Sequence, residues 1–150
     1  MKARLSNMLF LLALIAPNIL HAQEIKVLVL DASSGKPQPG VEIQYYCAGR
    51  TRNSPNSAPV LTHSDGLAKV PITCSETQKI DLRALPPDPK EQCGELPLLT
   101  LQEITSSGVV ANPGADGNIW CSDKVSRKMK AAPGQITLFV KKPTWFQSHF

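Results

Sequence analysis

The chain of 150 residues carries 16 lysines and arginines against 12 aspartates and glutamates. Its first 22 residues read as a removable leader, and the 128 that remain suffice for one domain and not two. Lys2 and Arg4 leave with the leader, so the balance becomes 14 against 12, and a net charge of +2 withdraws the main support for a nucleic-acid partner.

A chain of this size buries about two-thirds of its unfolded surface and needs neither metal nor partner to be stable. Thirteen prolines, nine glycines and 19% charged residues point to many turns and little helix.

The leader has three parts. Lys2 and Arg4 form a basic start, Met8 to Ala16 is an almost unbroken apolar run, and Leu20-His21-Ala22 puts a small residue before the expected cut at Gln23. This is the anatomy of a secretory signal peptide. A membrane anchor needs about 20 apolar residues, and Pro17 and Asn18 end the run sooner. No cysteine stands directly after the cut, as a lipoprotein leader would need, and no later window is apolar enough to span a bilayer. The mature chain is therefore expected to be secreted or periplasmic, without a transmembrane span.

Export changes how Cys47, Cys74, Cys93 and Cys121 are read. An even set in an oxidising compartment favours two disulfides over free thiols. Spacing does not choose among the three connectivities. Cys47–Cys74 with Cys93–Cys121 is favoured because the first two end consecutive strand-like runs. Each bridge would close a loop of roughly 30 residues and stabilise by about 3–4 kcal/mol on chain-entropy grounds. A zinc site would show Cys-x-x-Cys pairs or histidines in register, and neither occurs.

Along the mature chain, period-2 patterns dominate. Residues 24–30 are apolar on both faces, as in a buried strand. A turn-rich stretch follows to Gly40, and then Val41, Ile43, Tyr45 and Cys47 alternate with Glu42, Gln44 and Tyr46. Residues 48–59 are polar, carry Arg50 and Arg52, and read as a flexible loop. Val60 to Thr62 suggests a short strand before the Ser64-Asp65-Gly66 turn. Ala68, Val70 and Ile72 share one face, with Pro71 assigning that strand to an edge or marking a strand end. Ile80, Leu82 and Ala84 share another, and 85–97 reads as a proline-rich connection.

Thr100 and Glu103 have capping-box spacing, Leu99 and Ile104 that of a hydrophobic staple, and Gly108 supplies a stop. One short helix is expected near 100–107. Residues 109–117 are expected to turn, 124–130 form a basic, polar loop, and 135–140 form a last strand with Ile136, Leu138 and Val140 on one face. The pattern describes an all-β protein, a single antiparallel β-sandwich.

The segment Val27-Leu-Val-Leu-Asp31, then Gly35-Lys-Pro37, Gly40-Val-Glu-Ile43 and Ser64-Asp-Gly66, resembles the carboxypeptidase regulatory-like domain, a transthyretin-like, Ig-like β-sandwich of exported bacterial proteins. The family pattern is a strand ending in Asp, then Gly-x-Pro, then Gly-Val and a second strand, with Thr-Asp-x-x-Gly later. Thr62-His-Ser-Asp65-Gly66 approximates the last motif with altered spacing. The resemblance covers residues 25–72, implies a fold, and carries no catalytic residue. Sequence pattern and resemblance together divide the chain into a leader (1–22), a sandwich (23–142) and an aromatic tail (143–150).

Chemical readings are thin. Hydroxyisourate hydrolases occupy transthyretin-like sandwiches and use histidines, an arginine and a Tyr-Arg-Gly-Ser terminus, whereas this chain ends Gln147-Ser-His-Phe150. His63 and Asp65 flank a turn glycine, which suits a solvated turn better than a catalytic pair. Asp31, Asp65, Asp116 and Asp123 lack calcium-ligand spacing. No cofactor or metal is expected.

Trp145, Phe146 and Phe150 stand out because the chain has only eight aromatics. They either fold back onto the sandwich or, with Arg50 and Arg52, contact a partner. The sequence thus suggests a non-catalytic, monomeric exported module that binds a protein or envelope component. The alternatives are a small hydrolase built on His63 or a purely structural envelope protein.

Overall fold

Strand alternation decides the core. In β2 (Glu42–Cys47) the side chains of Ile43, Tyr45 and Cys47 are buried while Glu42, Gln44 and Tyr46 are half-buried, because successive residues point to opposite faces of a strand. The same alternation buries Ala68, Val70 and Ile72 of β4 (Leu67–Ile72) and Ile80, Leu82 and Ala84 of β5 (Lys79–Leu85). All three sets match the periodicity of the sequence.

The computed structural model describes residues 22–48, 55–56, 58–86, 92–94, 96–114 and 121–141. The leader, Arg50, Arg52 and the aromatic tail with Trp145, Phe146 and Phe150 lie outside the described residues.

Two sheets face each other. The first runs β4, β1 (Gln23–Asp31), β9 (Gln135–Val140), β6 (Gln92–Cys93), with β8 (Val109–Val110) also on β9. The second runs β3 (Val60–Leu61), β2, β5, β7 (Leu99–Thr100). One helix, α1 (Leu101–Ser107), follows β7 directly. Inward residues Ile25, Val27 and Val29 of β1 meet the inward residues of β2 and β5 in one apolar core.

The purely antiparallel expectation is corrected. β1 pairs with β9 in parallel, Val27 opposite Ile136, and β8 pairs with β9 in parallel, Val109 opposite Ile136. Parallel neighbours need a long crossover, and the chain supplies it by building the second sheet and α1 between β1 and β9. Apolar alternation carries no strand direction, so the pattern alone reads the same either way.

Strand β9 also departs from the one-faced reading. Thr137 and Phe139 are buried as deeply as Ile136 and Val140. Phe139 shares its face with Leu30 and Cys93 through the register of β1 and β6. Cys93 is bonded to Cys121, which brings residues 121–133 to this sheet; a Cβ at Gly35 would stand 3.2 Å from the Val125 side chain of that segment. A strand covered on both faces loses its polar period. The expected connection over 85–97 contains the two-residue β6, and the expected turn over 109–117 begins with β8.

The helix begins as its sequence requires. Thr100 is the N-cap, its hydroxyl accepting from the Glu103 amide at 3.2 Å, while the Glu103 carboxylate accepts from the Thr100 amide at 2.6 Å. Gly108 ends it, donating its amide to the Ile104 carbonyl.

Candidate functional site

Both disulfides connect the pairs favoured from strand position. Cys47 joins Cys74 and Cys93 joins Cys121, with Cα atoms 5.7 and 5.6 Å apart. The first bridge crosses from β2 to the residue pair beyond β4, and so clamps the two sheets together. Beside it, the buried Tyr45 hydroxyl accepts the Thr73 amide at 3.1 Å. These four cysteines are structural.

The motif residues hold turns. One Asp31 carboxylate oxygen accepts from the Ser33 and Ser34 amides and the Ser34 hydroxyl. The Thr62 hydroxyl donates to the Gln38 carbonyl at 2.7 Å and accepts the Val41 amide at 3.0 Å, so its buried oxygen ties two turns together. Gly66 has φ +75°, and a Cβ there would stand 2.6 Å from the Val29 carbonyl oxygen. Only glycine lets the turn approach β1 so closely.

His63 is exposed beside that turn, with its backbone bonded to Leu67 and Gly66. Among the described residues its ring has no hydrogen-bond partner, while Asp65 accepts the Leu67 amide. Asp123 pairs with Arg127. Among the described residues no three His, Cys, Asp or Glu side chains cluster as metal ligands. Asp116 lies outside the described residues.

On the outer face of the second sheet, Glu42, Gln44 and Tyr46 form a hydrogen-bonded row. Arg83 lies 5.5 Å from the Tyr46 ring centre and pairs with Asp81 at 2.7 Å. Leu61 and Leu85 flank Glu42 in the register and are 57% and 37% exposed.

The most distinctive surface is a cleft of about 410 Å³ between the edge of β5 and β9. It is lined by Asp81 to Leu85 of β5, by Cys93, Gly94, Leu96 and Leu98, and by Leu138 and Phe139 of β9, a mixture of leucines and polar groups. Leu98 is 53% exposed. Its volume falls in the range of ligand-holding clefts. Leu82 and Leu138 belong to alternations legible in the sequence, whereas Leu85 and Leu96 fall in the stretch 85–97 that reads as connection. The available signal is Leu96-Pro97-Leu98-Leu99, three leucines around the proline that closes the expected connection.

Three sheet margins differ. The margin of β4 carries exposed Lys69 and Pro71. β3 has two residues, and beyond it Asn56 takes the Tyr45 carbonyl and Cys47 amide of β2. Both are blunted in the ways that prevent strands from adding. β7 covers only Lys79 and Ile80 of β5.

No family model matches the chain, and no curated protein matches it.

Proposed function

We propose that the chain is an exported, non-catalytic β-sandwich module that works by binding a protein or envelope component at the cleft beside β5. The observation that carries this reading is the leucine-lined cleft, with Leu85 and Leu98 exposed at its rim. Exposed apolar side chains around a concavity mark interaction surfaces.

Export is supported by the leader and the two disulfides, which belong to oxidising compartments. Among the described residues no helix is long and apolar enough to cross a membrane. The turns at Asp31, Gly40 and Gly66 support the resemblance to carboxypeptidase regulatory-like domains, and they serve the backbone. His63, the residue on which a hydrolase reading depends, stands at an exposed turn.

Comparative capture tests the reading. Leaderless protein, an L85D/L98D variant and a Lys69→Ala control are immobilised against envelope extract of the source cells. The wild type and the control should retain the same proteins, and the double variant should lose them. Equal retention by all three overturns the reading. So does an ester hydrolysis that disappears in His63→Ala.

A further inference from the structure

We infer that the cleft takes an extended polypeptide segment, added to β5 as a further antiparallel strand; this rests on the cleft being the binding surface. The phase of the β2–β5 ladder supplies the argument. Ala48 donates its amide to the Lys79 carbonyl at 2.7 Å, and the register sets Tyr46 opposite Asp81 and Gln44 opposite Arg83. In an antiparallel pair, alternate residues turn their N–H and C=O toward the same neighbour. Lys79, Asp81 and Arg83 therefore face β2, while Ile80, Leu82 and Ala84 turn their backbone groups to the other side.

On that side Ile80 meets Leu99 of β7. Continued in the same register, the pairing would bring Pro97 opposite Leu82, and a prolyl nitrogen has no hydrogen to donate. The ladder stops there. Among the described residues no strand lies opposite Leu82 and Ala84 on that edge. Leu82 and Ala84 line the cleft, and the phase of the ladder turns their four backbone groups to that side, at the spacing of an extended chain.

This pattern of donors and acceptors specifies the occupant. A helix keeps its backbone groups inside and cannot complete the ladder, whereas an extended segment offers the matching alternation. It would continue the pairing that β7 begins at Ile80. Leu96, Leu98 and the inward-facing Leu138, all in the lining of the cleft, would receive alternate apolar side chains. The leucines of the lining suit apolar side chains at alternate positions of the segment.

The experiment selects a random heptapeptide phage library on leaderless protein with its disulfides intact. Capped synthetic copies of enriched peptides are added to isotope-labelled protein, and amide exchange at Leu82 and Ala84 is followed by NMR. Extended peptides with apolar residues at alternate positions should slow both amides about tenfold or more. N-methylation of the peptide's pairing amides should abolish the slowing.

Peptides that need Leu98 yet leave both amides unchanged would retain the cleft and overturn strand addition alone. Failure to find any Leu98-dependent peptide overturns strand addition, while loss or retention of captured partners by L85D/L98D decides the cleft itself. Slow exchange at both amides without peptide also overturns the inference. Dilution then separates a second copy, whose protection falls, from occupation within one chain.

Discussion

The Tyr45 hydroxyl accepts the Thr73 amide at 3.1 Å and lies 3.1 Å from the Thr73 hydroxyl, immediately beside the Cys47–Cys74 bridge. Two successive inward residues of β2 thus hold two successive residues beyond β4. Tyr45 is fully buried, so the loss of its hydroxyl leaves the Thr73 groups short of a partner while the ring still packs. Tyr45→Phe should cost about 1–2 kcal/mol, read as a lower urea midpoint with an unchanged slope.

The two bridges close loops of almost equal length, 27 and 28 residues apart in sequence. Chain entropy therefore assigns each about 3–4 kcal/mol. C47A/C74A and C93A/C121A should each lower stability by that order, measured by denaturant unfolding. A non-reduced digest should yield these two cross-linked peptide pairs and no others. A variant pair that leaves stability unchanged would contradict the staple role of that bridge.

The Glu103 carboxyl is held below the usual carboxylate range by the Thr100 amide, then by the Thr100 hydroxyl and by Lys79 at 3.3 Å. The folded chain therefore binds this proton less readily than the unfolded chain does. The stabilisation is present above the ordinary Glu value of about 4.3 and fades as pH falls through the lower folded value. The stability gap between wild type and Glu103→Gln should accordingly narrow on acidification. Thr100→Ala removes the cap itself and should cost about 1 kcal/mol at neutral pH, seen as a lower unfolding midpoint.

Gly40 and Gly66 share positive φ values of +73° and +75° but have different surroundings. A Cβ at Gly40 meets nothing within 4 Å, whereas at Gly66 it would crowd the Val29 carbonyl and the Gln38 amide. Gly40→Ala should cost about 1–2 kcal/mol, the left-handed penalty alone. Gly66→Ala should cost clearly more, because β1 must also shift. Paired thermal melts distinguish the two.

Long alternating strands and the capped helix were legible because both have local causes. Val41 to Cys47 announce a buried face by their period, and Thr100 and Glu103 announce a helix start by hydrogen-bonding chemistry. β6 and β8 have two residues each, too few for any period. The parallel seat of β9 and the burial of Phe139 depend on distant partners, Leu30 and Cys93. The cleft was illegible for a related reason. It arises where Pro97 fails to continue a ladder whose register is set elsewhere, and an isolated proline in a connection does not reveal what it stops pairing with.

The β4 margin of the first sheet shows proline acting as protection. In the β1–β4 ladder Val29 donates to Gly66 and pairs run Val27 with Ala68 and Ile25 with Val70. Even-numbered residues of β4 therefore face β1, and Leu67, Lys69 and Pro71 turn their backbone outward. The missing Pro71 hydrogen costs the sheet no bond and denies one to an incoming strand. Lys69 adds an exposed charge along the same margin. Pro71→Thr with Lys69→Thr should leave stability within about 1 kcal/mol, since both sites are exposed. The double variant should nevertheless self-associate with concentration in sedimentation equilibrium, where the wild type stays unchanged. A variant as monodisperse as the wild type would show that these two residues do not guard the edge.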